Sequence, residues 1–167
     1  FLQLNPFGTI VTSMDADHLD IYGTGDSLNQ AFQEYVDLLD ENGVLVYRSG
    51  LDLNFSGKKI SYGIDCEADV IGSELNYQDG VFSFRFQYKG IDEVIELGIP
   101  GIHNAENALA AIVLALENGV TMPVAKLACK TFKGVKRRFE YQINKPDQIY
   151  IDDYAHHPTA LKVFFDS

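Results

Sequence analysis

The stretch IYIDDYAHHPTAL, residues 149–161, puts Asp152, Asp153, His156 and His157 within six positions, the densest group of titratable side chains in the chain. An apolar run leads into it and Pro158 lies inside it. Such a cluster is either a solvated tail or part of a working site. A second group, GIPGIHNAENALAAIVLAL at residues 98–116, feeds a glycine–proline loop into a helix beginning near His103 and Asn104. Asn104 and Asn107 lie three apart and share a face of the first turn. Each amide offers a donor beside an acceptor, the pairing an adenine edge requires. The alternative is that Asn104 only caps the helix and Asn107 is solvated.

A third group, FKGVKRRFEYQI at 132–143, concentrates Lys133, Lys136, Arg137 and Arg138 in a chain of formal net charge −11. An arginine entering a strand beside a loop can fork onto phosphate oxygens; the alternative is a solvated basic face. The fourth, SMDADHLDIY at 13–22, holds Asp15, Asp17, His18 and Asp20 after a short strand. Loops at strand C-termini of open α/β sheets hold ligands. Carboxylates suit Mg²⁺, histidine less so, and a polar surface loop is the plainer reading. No HxH or HExxH spacing points to zinc, and the triphosphate cradle GxxxxGK[ST] is absent from these residues.

These groups need elements to hold them. TIVTS (9–13) reads as a strand, and 27–41 as a helix with Ser27 and Gln30 as a capping box and Gly43 as its stop. Residues 44–47 and 59–64 read as strands. In 69–77, 81–88 and 93–99 the alternation Phe82, Phe84, Phe86, Tyr88 against Ser83, Arg85, Gln87 predicts an antiparallel meander with one wet face. Asp79-Gly80 is its turn signal. Helices are expected at 104–117 and from Met122 to about Phe132, strands at 138–143 and 149–152, and a helix at 158–166. The fold class is α/β: a mostly parallel sheet flanked by helices, with an antiparallel β insert.

The bulk numbers agree with a globular chain: 167 residues, 46% hydrophobic and 22% charged, room for one domain with a core or a domain and a stub. The acidic balance argues against nucleic acid and anionic membrane as partners, so an anionic ligand must be met by local cations. The longest apolar run, Ala108–Leu116, is too short to span a bilayer. Cys66 and Cys129 have no CxxC spacing and read as reduced thiols of a cytoplasmic protein.

Taken in order, FLQLNPFGTIVTSMDADHLDIY, GIPGIHNAENALAAI, GVKRRFEY and DDYAHHPTAL resemble the Mur ligases, ATP-dependent amide ligases of peptidoglycan precursor synthesis. The resemblance covers nearly the whole chain and is nearest the branch that joins L-alanine to UDP-N-acetylmuramate. It implies a P-loop-type central domain over residues 1–152, with its phosphate loop and a magnesium-binding glutamate lying upstream. Residues 153–167 become the hinge and the start of a C-terminal amino-acid-binding domain. The chemistry implied is phosphorylation of a carboxylate by ATP and attack of an amine on the acyl phosphate. By the same resemblance His18 ligates Mg²⁺, and Asn104 and Asn107, beside His103, meet the adenine. Arg138 reaches the γ-phosphate, Asp153 contacts the nucleotide, and His156 joins the site on domain closure. Without the phosphate loop the fragment is expected to be inactive and a weak ATP binder at best. Alternatives are the branch that recycles a whole tripeptide and a non-catalytic nucleotide- or partner-binding module.

Overall fold

The computed structural model describes residues 3–15, 24–138, 140–156, 161–162 and 165. Six strands, β1 (Gly8–Val11), β2 (Val44–Arg48), β3 (Lys58–Ile64), β4 (Val70–Gln78), β5 (Val81–Tyr88) and β6 (Ile91–Leu97), form one sheet in sequence order. The β1–β2, β2–β3 and β3–β4 ladders are parallel; β5 is antiparallel to both neighbours. The meander read from the aromatic alternation is therefore continuous with the parallel strands and extends their sheet. β4 is the strand where direction changes, and its link to β3 explains how. Only five residues, 65–69, separate the two strands, so just Tyr62, Gly63 and Ile64 pair with Val70, Ile71 and Gly72. Asp65 takes the left-handed conformation (φ 48°) to reverse the chain. Asp69 then accepts from the Ser61 N–H (2.8 Å) and hydroxyl (2.7 Å).

Helices cover both faces of the parallel part. α1 (Gly25–Val36) lies on one, where Val36, Leu39, Leu45, Leu53 and Val11 are buried together. Its N-cap lies three residues before the expected Ser27: Thr24 is the N-cap, its Oγ1 accepting from the Ser27 N–H at 3.2 Å, while Gln30 bonds forward to Glu34. It ends at Val36 rather than 41, because Asp37 onward turns towards β2.

α2 (Ile102–Glu117) and α3 (Met122–Thr131) cover the other face. The main core sets Ala105, Ala108, Leu109, Ile112 and Val113 of α2 against Val46, Tyr62, Phe84, Phe86 and Ile95. Burying each large side chain contributes ~1.5–3 kcal/mol. β5 shows the predicted alternation: Phe84, Phe86 and Tyr88 are buried. On its other face Arg85 bridges Asp92 and Glu74 at 2.7 and 2.8 Å. β7 (Glu140–Lys145) and β8 (Gln148–Asp152) form a separate antiparallel hairpin. Of the helix expected at 158–166, Leu161, Lys162 and Phe165 are helical and the rest lies outside the described residues. Among the described residues no helix is long and apolar enough to cross a membrane.

Candidate functional site

Strand polarity selects one edge of the sheet. β1 to β4 run the same way, and β6, antiparallel to β5, joins them, so the chain leaves β1, β2, β3 and β6 at a common carboxyl edge. α2 runs back against them. Its C-terminal end meets the strand starts: a Cβ at Gly8 would lie 2.9 Å from Leu114, and Lys58 pairs with Glu117. Near its other end Glu106 takes a 2.7 Å ion pair from Arg48, the last residue of β2. The N-terminus of α2, the positive end of its dipole, thus sits at the edge where open α/β sheets bind ligands.

Glycines let three loops crowd that edge. Gly98 donates its N–H to the Cys129 carbonyl (2.9 Å), and a Cβ there would fall 2.2 Å from the Phe132 carbonyl oxygen, so only glycine fits. Gly101, at φ +113°, is the N-cap of α2 and brings no side-chain cap. Asn104 is therefore not the cap; it lies within the first turn, half-buried, and donates from Nδ2 to the Pro100 carbonyl at 2.6 Å. Asn107, one turn on, is exposed. The basic loop lies against the glycine–proline loop, with Gly134 (φ +87°) facing Ile99.

The basic loop and the DDYAH segment are joined. Val135 and Arg138 bridge across a tight turn in which Arg137 is left-handed (φ 59°). The Tyr154 N–H donates to the Arg137 carbonyl (2.9 Å), and the Arg137 guanidinium lies 4.6 Å from the Tyr154 ring centre. The Ala155 N–H donates to Asp153 Oδ1 at 2.7 Å, and His156 Nδ1 lies 2.9 Å from the Tyr154 carbonyl. Arg138 and His156 are exposed and Asp153 is half-buried.

His103 reports on what converges. Burial lowers its imidazole pKa below the ordinary value; the charges of Asp153 and Glu106 pull it back up and that of Arg138 pushes it further down. Residues 35 to 50 positions away in sequence thus share the electrostatic field of the first turn of α2. Arg48 and Glu106 belong to the same neighbourhood, where they flank Tyr62, whose hydroxyl burial and Glu106 push up to about 12. Neither carried a sequence signal, since the pair spans 58 positions. Arg137 and Tyr154 stood inside quoted motifs, and only their contact was unreadable. His18 lies outside the described residues; of its loop Asp15 is described and exposed. Among the described residues no three His, Cys, Asp or Glu side chains are grouped to hold a metal. A cavity of about 430 Å³ lies at the opposite edge, between the approaches to β2 and β3, lined by Asp37, Glu41, Asn54 and Phe55, away from all four sequence clusters.

Residues 2–115 match the Mur ligase middle domain. The UDP-N-acetylmuramate–L-alanine ligase of Christiangramia forsetii is 41% identical over 164 residues, 96% of this chain and 35% of the relative. Among solved structures, the UDP-N-acetylmuramate–alanine ligase of Thermotoga maritima superposes with a TM-score of 0.81 at 24% identity, covering 99% of this chain and 38% of that one. The MurF ligase of the same organism, solved with ADP, gives 0.82 at 18% identity, covering 96% and 38%. The chain thus spans about a third of the curated relative it matches. By the middle-domain match it belongs to the Mur ligase family.

Proposed function

We propose that this Mur ligase chain is the central ATP-binding part of an ATP-dependent amide ligase that joins L-alanine to UDP-N-acetylmuramate in cytoplasmic peptidoglycan precursor synthesis. Residues 1–152 are the nucleotide domain, and 153–167 are the hinge and the start of the amino-acid-binding domain. One observation carries the reading: the Arg137–Tyr154 contact ties the loop of Arg138 to the segment of Asp153, and the charges of both bear on His103 in the first turn of α2. The 41% identity to a ligase of that name supports the choice of reaction.

The described residues fit a nucleotide. The helix N-terminus favours anionic oxygens, and the arginine loop supplies cations beside it. Asn104 keeps its side-chain oxygen and one N–H after bonding Pro100, enough to take an exocyclic amine and give a hydrogen bond to a ring nitrogen. Asn107 adds a second amide on the exposed side of the same turn. Asp153, half-buried beside His103, is suited to a ribose hydroxyl. Bound ATP supplies the phosphoryl group that makes a carboxylate an electrophile. Arg138 then spreads the charge on the γ-phosphate oxygens, a role worth ~3 kcal/mol or more where such a contact tightens in the transition state. His156, exposed next to the hinge, meets the reacting groups when the following domain closes and excludes water. His18 is the residue of this chain that would hold Mg²⁺, which would supply charge stabilisation to the phosphate oxygens.

The test is phosphate release by the complete polypeptide that carries these residues, with ATP, UDP-N-acetylmuramate and either L-alanine or a cell-wall tripeptide as amine. L-alanine-dependent release is expected. Release only with the tripeptide would move the chain to the recycling branch, and none with either would end the ligase reading.

A further inference from the structure

Tyr154 takes no role in the reading above, yet its backbone and its ring both join the two loops that carry Arg138 and Asp153. The Arg137 guanidinium lies over one face of its ring at 4.6 Å. The His156 ring meets it edge-on, with centroids 5.1 Å apart and planes at 66°. Its N–H holds the Arg137 carbonyl, and its own carbonyl lies 2.9 Å from His156 Nδ1. Arg137 is fixed from further sides: its N–H donates to Glu140 Oε2 at 2.9 Å, and the Arg138 N–H closes the turn onto the Val135 carbonyl at 3.1 Å.

The backbone adds an independent sign. Arg137 sits at φ +59°, a region that costs a residue with a Cβ and that glycine or asparagine would occupy freely. The bonds on either side of Arg137 hold this strained turn, which carries its side chain onto the ring. Its guanidinium is on an aromatic face, half in solvent, with Tyr154 itself 53% exposed. A contact so exposed adds little to stability. Its geometric effect is larger, because each member is the sequence neighbour of a proposed site residue.

We infer that Arg137, Tyr154 and His156 form a positioning clamp that sets the spacing of Arg138 and Asp153 at the N-terminus of α2. The inference rests on the nucleotide reading of that edge and deepens it. Arg137 and Tyr154 need touch no ligand. They hold the arginine loop and the hinge in one register, so that the two charges felt by His103 come from fixed places. The occupant whose binding depends on the clamp is a nucleoside triphosphate, since Arg138 is assigned to its γ-phosphate and Asp153 to its ribose.

Three variants of the complete enzyme test this. Tyr154→Leu removes the ring; the KM for ATP should rise about two- to fivefold, the worth of an exposed cation–ring contact, with the melting temperature unchanged. Tyr154→Phe keeps the ring and should restore the unsubstituted KM. Arg137→Gly relieves the backbone and removes the cation; it should keep or raise the melting temperature while raising the KM by a similar factor. A purely structural contact predicts the reverse, a lower melting temperature with an unchanged KM. In parallel, NMR should find the Arg137 side-chain protons shifted upfield by the ring, a shift lost in Tyr154→Leu and kept in Tyr154→Phe. Unshifted protons, or an unchanged KM in Tyr154→Leu, would overturn the clamp. No ATP-dependent turnover in the unsubstituted enzyme would instead overturn the ligase reading, and the clamp's role with it.

Discussion

Replacing Glu117 by Gln should destabilise the protein at neutral pH and matter little in acid. Glu117 ends α2, where the negative end of the helix dipole disfavours a carboxylate. Its side chain is 12% exposed, and burial alone would raise its pKa. Three donors outweigh both effects: Lys58, the Tyr88 hydroxyl at 2.5 Å and Lys89 at 2.9 Å hold the carboxyl down at about 2, against an ordinary 4.5. At ~1.4 kcal/mol per unit the full depression corresponds to at most about 3.5 kcal/mol. Lys58 and Lys89 are 44% and 59% exposed, so water screens their share, leaving about 1.5–2 kcal/mol. The folded pKa lies below the unfolded one. The stabilisation is therefore complete above 4.5 and drains away as pH falls towards 2. Urea unfolding followed by circular dichroism, at pH 7 and pH 3, measures it. Glu117→Gln should lose about 1.5–2 kcal/mol at pH 7 and less than half of that at pH 3. A loss below ~0.5 kcal/mol at pH 7, or an equal loss at both pH values, would refute the linkage argument.

Three further measurements bear on the core and the site. Leu109→Ala should cost about 3–4 kcal/mol by opening a cavity at a fully buried position, and adding Gly72→Ala should recover part of it, because a Cβ at 72 lies 2.7 Å from Leu109 Cδ1; additive losses in a double-mutant cycle would contradict the packing. In an NMR titration His103 should ionise below the ordinary histidine range; Asp153→Asn should lower its pKa further and Arg138→Gln should raise it, and insensitivity to both would show that the loops do not converge. Calorimetry of the 167-residue chain with ATP and Mg²⁺ should give binding weaker than micromolar, since the chain holds no GxxxxGK[ST] cradle; micromolar affinity would contradict the reading.

Legibility in the sequence tracked how local the physics was. Alternation in β5 and helical spacing in α2 could be read because one face of each is buried against a continuous core. The start of α1 was misread because Ser27 and Thr24 are both hydroxyl residues at capping spacing, and only geometry shows which backbone N–H is satisfied. The role of Asn104 changed for the same reason: Gly101 takes the cap by its φ, which sequence does not state. Continuity of the meander with the parallel sheet was hidden in a five-residue turn that depends on Asp65, a non-glycine residue at positive φ. At the site, residue types were visible and partners were not. Arg48 with Glu106, and Arg137 with Tyr154, meet only after the sheet has set the ends of its strands.

The strand order also shapes how the molecule assembles. Every strand of the main sheet pairs with its predecessor and successor in the chain, and no later strand is inserted between earlier ones. The β4–β5–β6 hairpins close over very short loops, so they can form first and present the free side of β4 as a template. β3, β2 and β1 then add one after another, the first across a five-residue link and the last only after α1 has crossed over. Amide protection should accordingly accumulate from β5 outwards during refolding, and β1 should be the last strand of the sheet to become rigid.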